Sequence, residues 1–248
     1  MLPHGTQVGR LAPAPTAPHI LSFQKTYLGI HPKSTIERVA KGQFIVQEDD
    51  FADHSILLLE GWVAFSKSLP DGETQIIDVL LPGDFALIGA INAPVSACSV
   101  EALSDAQYIS VRSIHANGPS ADMAQLREMM AGEIVRTQAR TAELLLRMGK
   151  GSAAIRIAYA LLEFYVRLDA IGRVQDGGFD FPITQQKLGE FTGLSNVHVC
   201  RTMRRFERDG IIAHPTALRL VLSEMDALCD IAGIDLQMFR DEILMHRA

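Results

Sequence analysis

The sequence predicts an α+β chain with an N-terminal antiparallel β domain of jelly-roll type, one long helix, and a C-terminal winged helix-turn-helix. Three observations lead there. Short apolar runs separated by turn residues fill 42–111, a single helical period runs from 123 to 148, and two capped helices joined by a glycine turn precede a pair of short strands at 211–222. With 248 residues, 48% of them hydrophobic, the chain can bury two cores.

The β runs are 43–46, 56–59, 62–65, 75–81, 99–103 and 108–111. Gly61, Pro70-Asp71-Gly72 and Pro82-Gly83-Asp84 break them, and Asp71-Gly72 stands where a hairpin turn belongs. Residues 1–22 hold Pro3, Pro13, Pro15 and Pro18 with no apolar period, which predicts a flexible arm without an assigned role.

After Pro119 the period becomes helical. Met123, Leu126, Met130, Ile134, Thr137, Thr141, Leu144, Leu145 and Met148 recur at spacings of three or four and are expected on one face. So narrow a stripe over 119–149 calls for a partner helix, which makes this segment a dimerisation helix; the alternative is that the stripe packs on its own β domain. Gly149-Lys150-Gly151-Ser152 then breaks the helix as a hinge, and a second amphipathic helix is expected at 155–168.

In the C-terminal domain, 150–248, Thr184 can cap a helix over 185–191, Thr192-Gly193-Leu194 can turn, and Ser195 can cap a second helix over 196–208. Val199, Met203 and Phe206 fall on its inner side, against Leu188, Leu194, Ile211 and Ile212. Asn196, Val197, Arg201, Arg204, Arg205 and Arg208 fall on the outer side. An apolar side that fixes the angle and a polar side that touches base edges and phosphates is what a helix in the major groove requires. Charge agrees. The chain carries −6 in total, yet 150–221 hold 10 Lys and Arg against 7 Asp and Glu, a local +3. The strands expected at 211–213 and 218–222 flank His214-Pro215-Thr216 as a wing. An acidic helical extension follows, opening at Ser223 and continuing through 236–245.

The segment Ile183-Thr-Gln-Gln-Lys-Leu-Gly-Glu-Phe-Thr-Gly-Leu-Ser-Asn-Val-His-Val-Cys-Arg-Thr-Met resembles the reading head of the cyclic AMP receptor protein and FNR (Crp/Fnr) family. Three further stretches match that family's sensor in order: Gln43-Phe-Ile-Val-Gln-Glu-Asp-Asp-Phe-Ala-Asp-His, Leu58-Leu-Glu-Gly-Trp-Val and Leu80-Leu-Pro-Gly-Asp-Phe. The resemblance spans about 25–222. It implies a cyclic-nucleotide-binding-like β-roll sensor over 23–118, a homodimer, a palindromic double-stranded DNA operator and contact with RNA polymerase. The family's base-reading positions fall on Asn196, Val197 and Arg201. Arg201 suits guanine, Asn196 adenine, and Val197 a thymine methyl. Phosphate contacts are expected from Thr184, Gln185, Ser195, His198, Arg204, Arg205 and Arg208. The family's usual Arg-Glu or Glu-x-x-Ser is replaced here by Asn-Val-His, so the half-site read is expected to be partly this chain's own.

The sensor departs from the family too. Where cyclic-nucleotide binders carry Gly-Glu and an Arg-Ser/Thr pair, Gly89 is followed by Ala90, and Ser96 or Ala97 takes the arginine's place, so cyclic AMP is not expected. An iron-sulfur cluster is not expected either, because no cysteine precedes Cys98. Haem stays open through His54, His115 or Cys98. Cys98, Cys200 and Cys229 are too few and scattered for a disulfide framework. Cys200, among arginines in the reading helix, is a candidate redox switch. A metal-dependent jelly-roll enzyme of cupin type needs a His-x-His motif with a further Glu and His, which 42–111 lack, and a regulatory module that does not bind DNA is opposed by the arginine cluster. No stretch has the length of apolar sequence a membrane helix needs, and no signal-like N-terminus is present, so a cytoplasmic protein that avoids membranes is expected.

Overall fold

The computed structural model describes residues 35–88, 90–92, 94–112 and 121–244. The arm expected at 1–22, His115 and Met245 lie outside the described residues, as do the side chains of Met123 and Leu126.

Eight strands form the N-terminal domain: β1 Ile36–Val39, β2 Phe44–Val46, β3 His54–Glu60, β4 Val63–Ser68, β5 Thr74–Leu80, β6 Phe85–Ala86, β7 Ser99–Ala102 and β8 Ala106–Arg112. They make two four-stranded antiparallel sheets, ordered β1-β8-β3-β6 and β2-β7-β4-β5. Val39, Ile56, Leu58, Val63, Val100 and Tyr108 fill the space between them. The expected turn at Asp71-Gly72 joins β4 to β5, with Gly72 at φ +90° donating its N–H to the Leu69 carbonyl at 2.9 Å. Gly61 has no freedom at all. At φ +91° its missing Cβ faces the Asp105 carbonyl, which a side chain would meet at 2.4 Å.

Helix α1 spans Ala121–Lys150 and helix α2 Ala153–Ala170. The helical hydrogen bonding runs two residues past the first glycine of the expected break, to Gly151, whose N–H reaches the Arg147 carbonyl at 2.7 Å; Ser152 then caps α2. The stripe of α1 is covered along one edge only. Met130 and Leu144 are buried in the chain's own core, Thr137, Thr141 and Met148 are half-buried, and Ile134 (45% exposed) and Leu145 (69%) point to solvent. At about 100° per residue these positions stay within one arc, and the chain's own core takes the edge that holds Leu144 while the edge that holds Ile134 and Leu145 stays open.

α2 is the central element. Trp62, Ile76 and Val79 of the β-roll pack with Tyr159, Phe164 and Leu168 of α2 and with Leu188, Phe191, Val199 and Phe206 beyond it, in one continuous cluster. Trp62 meets Phe164 edge-on at 5.3 Å and Phe181 at 6.1 Å. The β-roll and the C-terminal region thus share a core.

A buried ionic layer lies beside it. Arg140 of α1 donates from Nη2 to Asp78 on β5 at 2.7 Å and to Glu133 at 3.0 Å. Arg167 of α2 donates to Glu163 at 2.8 Å, to the Val79 carbonyl at 2.8 Å and to Asp84 after β5. Asp78, Glu133, Arg140, Glu163 and Arg167 are each at most 5% exposed. Burial pushes the Glu133 carboxyl up, the charge of Asp84 adds to that, and Arg140 and Arg136 only partly oppose it. Burial likewise raises Glu163 against the pull of Arg167. For Asp84 burial acts upward as well, but Arg167 and Arg140 outweigh it and hold the group below its ordinary value.

The C-terminal region holds β9 Gly178–Asp180, α3 Gln185–Thr192, α4 Asn196–Arg208, β10 Ile212–Thr216, β11 Arg219–Leu222, α5 Met225–Ala232 and α6 Leu236–Leu244. The wing is a three-stranded sheet ordered β10-β11-β9, with Phe179 opposite Leu220. The acidic extension is α5 and α6, which close over α2. Phe239 meets Tyr159 at 5.6 Å, Arg240 pairs with Asp169 at 2.6 Å, and Arg147 of α1 donates to the Ala232 carbonyl at 2.7 Å. No helix among the described residues is long and apolar enough to cross a membrane.

Two outcomes are expected from the ionic layer. Arg140→Met leaves Asp78 and Glu133 buried without their shared guanidinium and lowers unfolding free energy in urea by about 3–5 kcal/mol. A folded carboxyl above its unfolded value holds its proton longer than the unfolded chain does, so stability falls as pH rises through that interval. Glu133→Gln therefore reduces the loss of unfolding midpoint that the wild type shows as pH climbs above about 4.5, measured by thermal melts of both proteins across pH 5 to 8.

Candidate nucleic-acid interface

The reading head is built by two caps and one close approach. Thr184 Oγ1 accepts from the Lys187 N–H at 3.2 Å and starts α3, and Gly193 at φ +64° ends it. Ser195 Oγ faces the His198 N–H at 3.5 Å and starts α4. Gly189 lets the turn close on α3, since a Cβ there would stand 2.5 Å from the Leu194 carbonyl oxygen. Val199, Thr202, Met203 and Phe206 are the buried side of α4. Thr202 is the member that sequence reasoning missed, because a threonine carries no apolar signal.

All the expected contact residues are exposed: Thr184, Gln185, Ser195, Asn196, Val197, His198, Arg201, Arg204, Arg205 and Arg208. At about 100° per residue, Val197, Arg201, Arg204 and Arg208 form the centre of the outward face. Asn196 and Cys200 lie along one flank, His198 and Arg205 along the other. Arg204, expected at a phosphate, therefore shares a line with the expected base readers. Cys200 is a half-buried free thiol.

Several of these side chains are held. The Ser195 hydroxyl and His198 Nδ1 lie 2.9 Å apart, which leaves His198 Nε2 turned outward. The Arg205 guanidinium stacks 5.5 Å from the centre of the Phe206 ring. Arg208 pairs with Asp209 at 3.1 Å on the open surface, and Glu207 ties the recognition helix to His214 of the wing at 2.7 Å. The head as a whole is fastened to the rest of the chain. Lys187 pairs with Glu101 of β7 at 2.8 Å, Gln75 of β5 donates to the Phe191 carbonyl at 3.1 Å, and Arg156 of α2 donates to the Gly193 carbonyl at 3.2 Å. Fixing α3 in this way leaves the opposite side of α4 open.

The β-roll does not fit a cyclic nucleotide. Ser96, at the arginine's position, is buried and donates its hydroxyl to the Cys98 carbonyl at 2.6 Å, and Ala97 offers only its backbone, whose carbonyl accepts from Lys67. Lys67 is paired with Glu48 and half exposed. Among the described residues of this stretch an anionic phosphate would find no uncommitted cation. His54 lies against Asp53 at 3.2 Å, and burial raises the Cys98 thiol. Among the described residues no group of three or more His, Cys, Asp or Glu is placed to hold a metal ion.

Gly189→Ala is expected to push the turn away from α3, costing about 1–3 kcal/mol of stability and weakening DNA binding, while near-ultraviolet circular dichroism from Trp62 in the shared core stays native.

Residues 36–115 match the cyclic nucleotide-binding domain family, and residues 139–231 match the Crp-like helix-turn-helix domain family. The chain is 26% identical over 206 residues to the transcriptional activator protein FnrL of Cereibacter sphaeroides, covering 78% of this chain and 79% of that protein. It is 29% identical over 181 residues to the nitrogen fixation regulation protein FixK of Bradyrhizobium diazoefficiens, covering 70% and 72%. The solved structure of FixK2 from Bradyrhizobium japonicum superposes with a TM-score of 0.68 at 28% identity, over 80% of this chain and 96% of that one. With a β-roll, a long helix and a winged helix-turn-helix in this order, and with both domains matched, the chain belongs to the Crp/Fnr family of DNA-binding transcription regulators.

Proposed function

We propose that the chain works as a homodimer that reads a two-fold palindrome in cytoplasmic DNA with α4, and activates transcription through contact with RNA polymerase. The observation that carries this reading is the outward face of α4, where Val197, Arg201, Arg204 and Arg208 align and every buried contact lies on the opposite side. Arg201 grips guanine O6 and N7, Asn196 pairs with adenine, and Val197 presses a thymine methyl. Thr184, Gln185, Ser195, His198, Arg205 and Arg208 hold phosphates, and Arg204 shares the central line. Activation follows the relatives, several of which are named transcriptional activators.

The dimer is supported by what α1 leaves uncovered. Ala131, Val135, Gln138, Ala142 and Leu145 are exposed and follow one another at spacings of four, three, four and three, with Ile134 and Leu146 beside them. That is the spacing of a two-stranded coiled coil, and it replaces the broader stripe as the seam. Two such heads across a dyad demand half-sites about one helical turn apart.

Selection of bound duplexes from a random pool is expected to return a palindrome. Arg201→Ala costs about 1–3 kcal/mol on it and relaxes one base position per half-site, whereas Arg208→Ala weakens all sequences alike and lowers the salt dependence. Salt-sensitive binding without sequence preference would refute the reading.

A further inference from the structure

A cavity of about 560 Å³ opens where the β-roll, α1, α2 and α6 meet, within the size range of small-molecule sites. It is separate from the Ser96–Cys98 stretch, at which the family's cyclic-nucleotide chemistry would lie. Asp84, Glu133, Arg140 and Arg167 line its buried end, and Phe85, Met129, Ile171 and Ile243 supply apolar walls. Exposed Glu128 stands at the open side, and Arg136, 34% exposed, reaches inward from there to pair with Glu133 at 2.9 Å.

The charge at the buried end is not balanced. Four carboxylates, Asp78, Asp84, Glu133 and Glu163, face two buried guanidinium groups and the half-buried Arg136, which leaves one negative charge in excess. Those groups are committed already. Arg140 donates to Asp78, Glu133 and Thr137, and Arg167 donates to Glu163, Asp84 and the Val79 carbonyl. An anionic ligand would meet excess negative charge and occupied donors, whereas a cation would supply what the layer is short of. The apolar walls ask for a hydrocarbon stem behind that cation.

We propose that this cavity is an effector site for a small organic cation, an ammonium or amidinium group on a compact apolar stem, with the Asp84 and Glu133 carboxylates as its counter-charges. The occupant touches all four walls at once. It therefore favours the arrangement in which α1, α2, α6 and the β-roll are closed together, the same arrangement that fixes the reading head. This last step rests on the regulator reading above; the binding itself does not.

Calorimetric titration of the full chain with hexylammonium chloride, sodium hexanoate and 1-hexanol at equal ionic strength tests the site. Hexylammonium is expected to bind saturably at one per chain, and the other two are not. Glu133→Gln should weaken binding at least about tenfold, or 1.4 kcal/mol. Gly132→Leu should abolish it by filling the cavity, and the fold should tolerate the change, because a Cβ at Gly132 meets only the end of the Arg136 side chain, at 3.4 Å. Native circular dichroism of Gly132→Leu makes that variant decisive even where Glu133→Gln is unstable. Hexanoate or hexanol binding as well as hexylammonium, undiminished binding by Gly132→Leu, or no saturable binding overturns the site. In parallel, hexylammonium should shift affinity for the selected palindrome in the wild type and not in Gly132→Leu. Saturable binding with unchanged DNA affinity overturns the coupling, while failure to bind any DNA counts against the regulator reading and leaves the titration to judge the cavity.

Discussion

Two arginines, Arg140 and Arg167, occupy positions where no single structural unit could keep them. Each is almost wholly buried, and besides a carboxylate on its own helix, Glu133 for Arg140 and Glu163 for Arg167, each depends on one from the β-roll, Asp78 for Arg140 and Asp84 for Arg167. A guanidinium taken out of water has a desolvation cost of several kcal/mol, repaid only when its partners are in place. The layer is therefore satisfied in one mutual arrangement of the three parts and in no partial version of it. Apolar packing around Trp62 and Phe164 supplies the bulk of the attraction, but such packing tolerates sliding. The directional hydrogen bonds fix the register.

That register explains how a small head is aimed. α3 is not free on a tether, because Lys187, Gln75 and Arg156 hold its two ends against β7, β5 and α2. Whatever moves the β-roll against α2 moves α4 with it, and in a dimer the same displacement is applied twice about the dyad. A change of distance between two heads matters more than a change within either, since half-site spacing is set by the duplex.

Much of this was legible in the sequence. The caps Thr184 and Ser195, the turn at Gly193 and the apolar side of α4 follow from local rules, and all the expected contact residues proved exposed. Strands β1, β6 and β9 were not legible. β6 has two residues, β1 is mostly exposed, and β9 reads as the end of a connector until Phe179 finds Leu220. Short strands have no period to read; only their partners define them. The burial of Arg140 was not legible for a related reason. Its burial comes from Asp78, 62 positions away, and no window on the helix contains that information. Which edge of the α1 stripe would be covered was hidden in the same way, for Met130 and Leu145 look alike until the β-roll claims one of them.

The acidic extension has a consequence in time. α2 is the centre of the shared core, yet Phe239 and Arg240, which cover its flank, lie far along the chain, and the Asp169–Arg240 pair spans 71 residues. At synthesis rates of about 5–20 residues per second, α2 waits about 4–14 s for that cover. During this interval the β-roll, whose strand pairings are complete by Arg112, can form its sheets ahead while the flank of α2 around Tyr159 stays open to other apolar surfaces. The order of emergence makes the β-roll a ready template and leaves α2 the last part to be sealed.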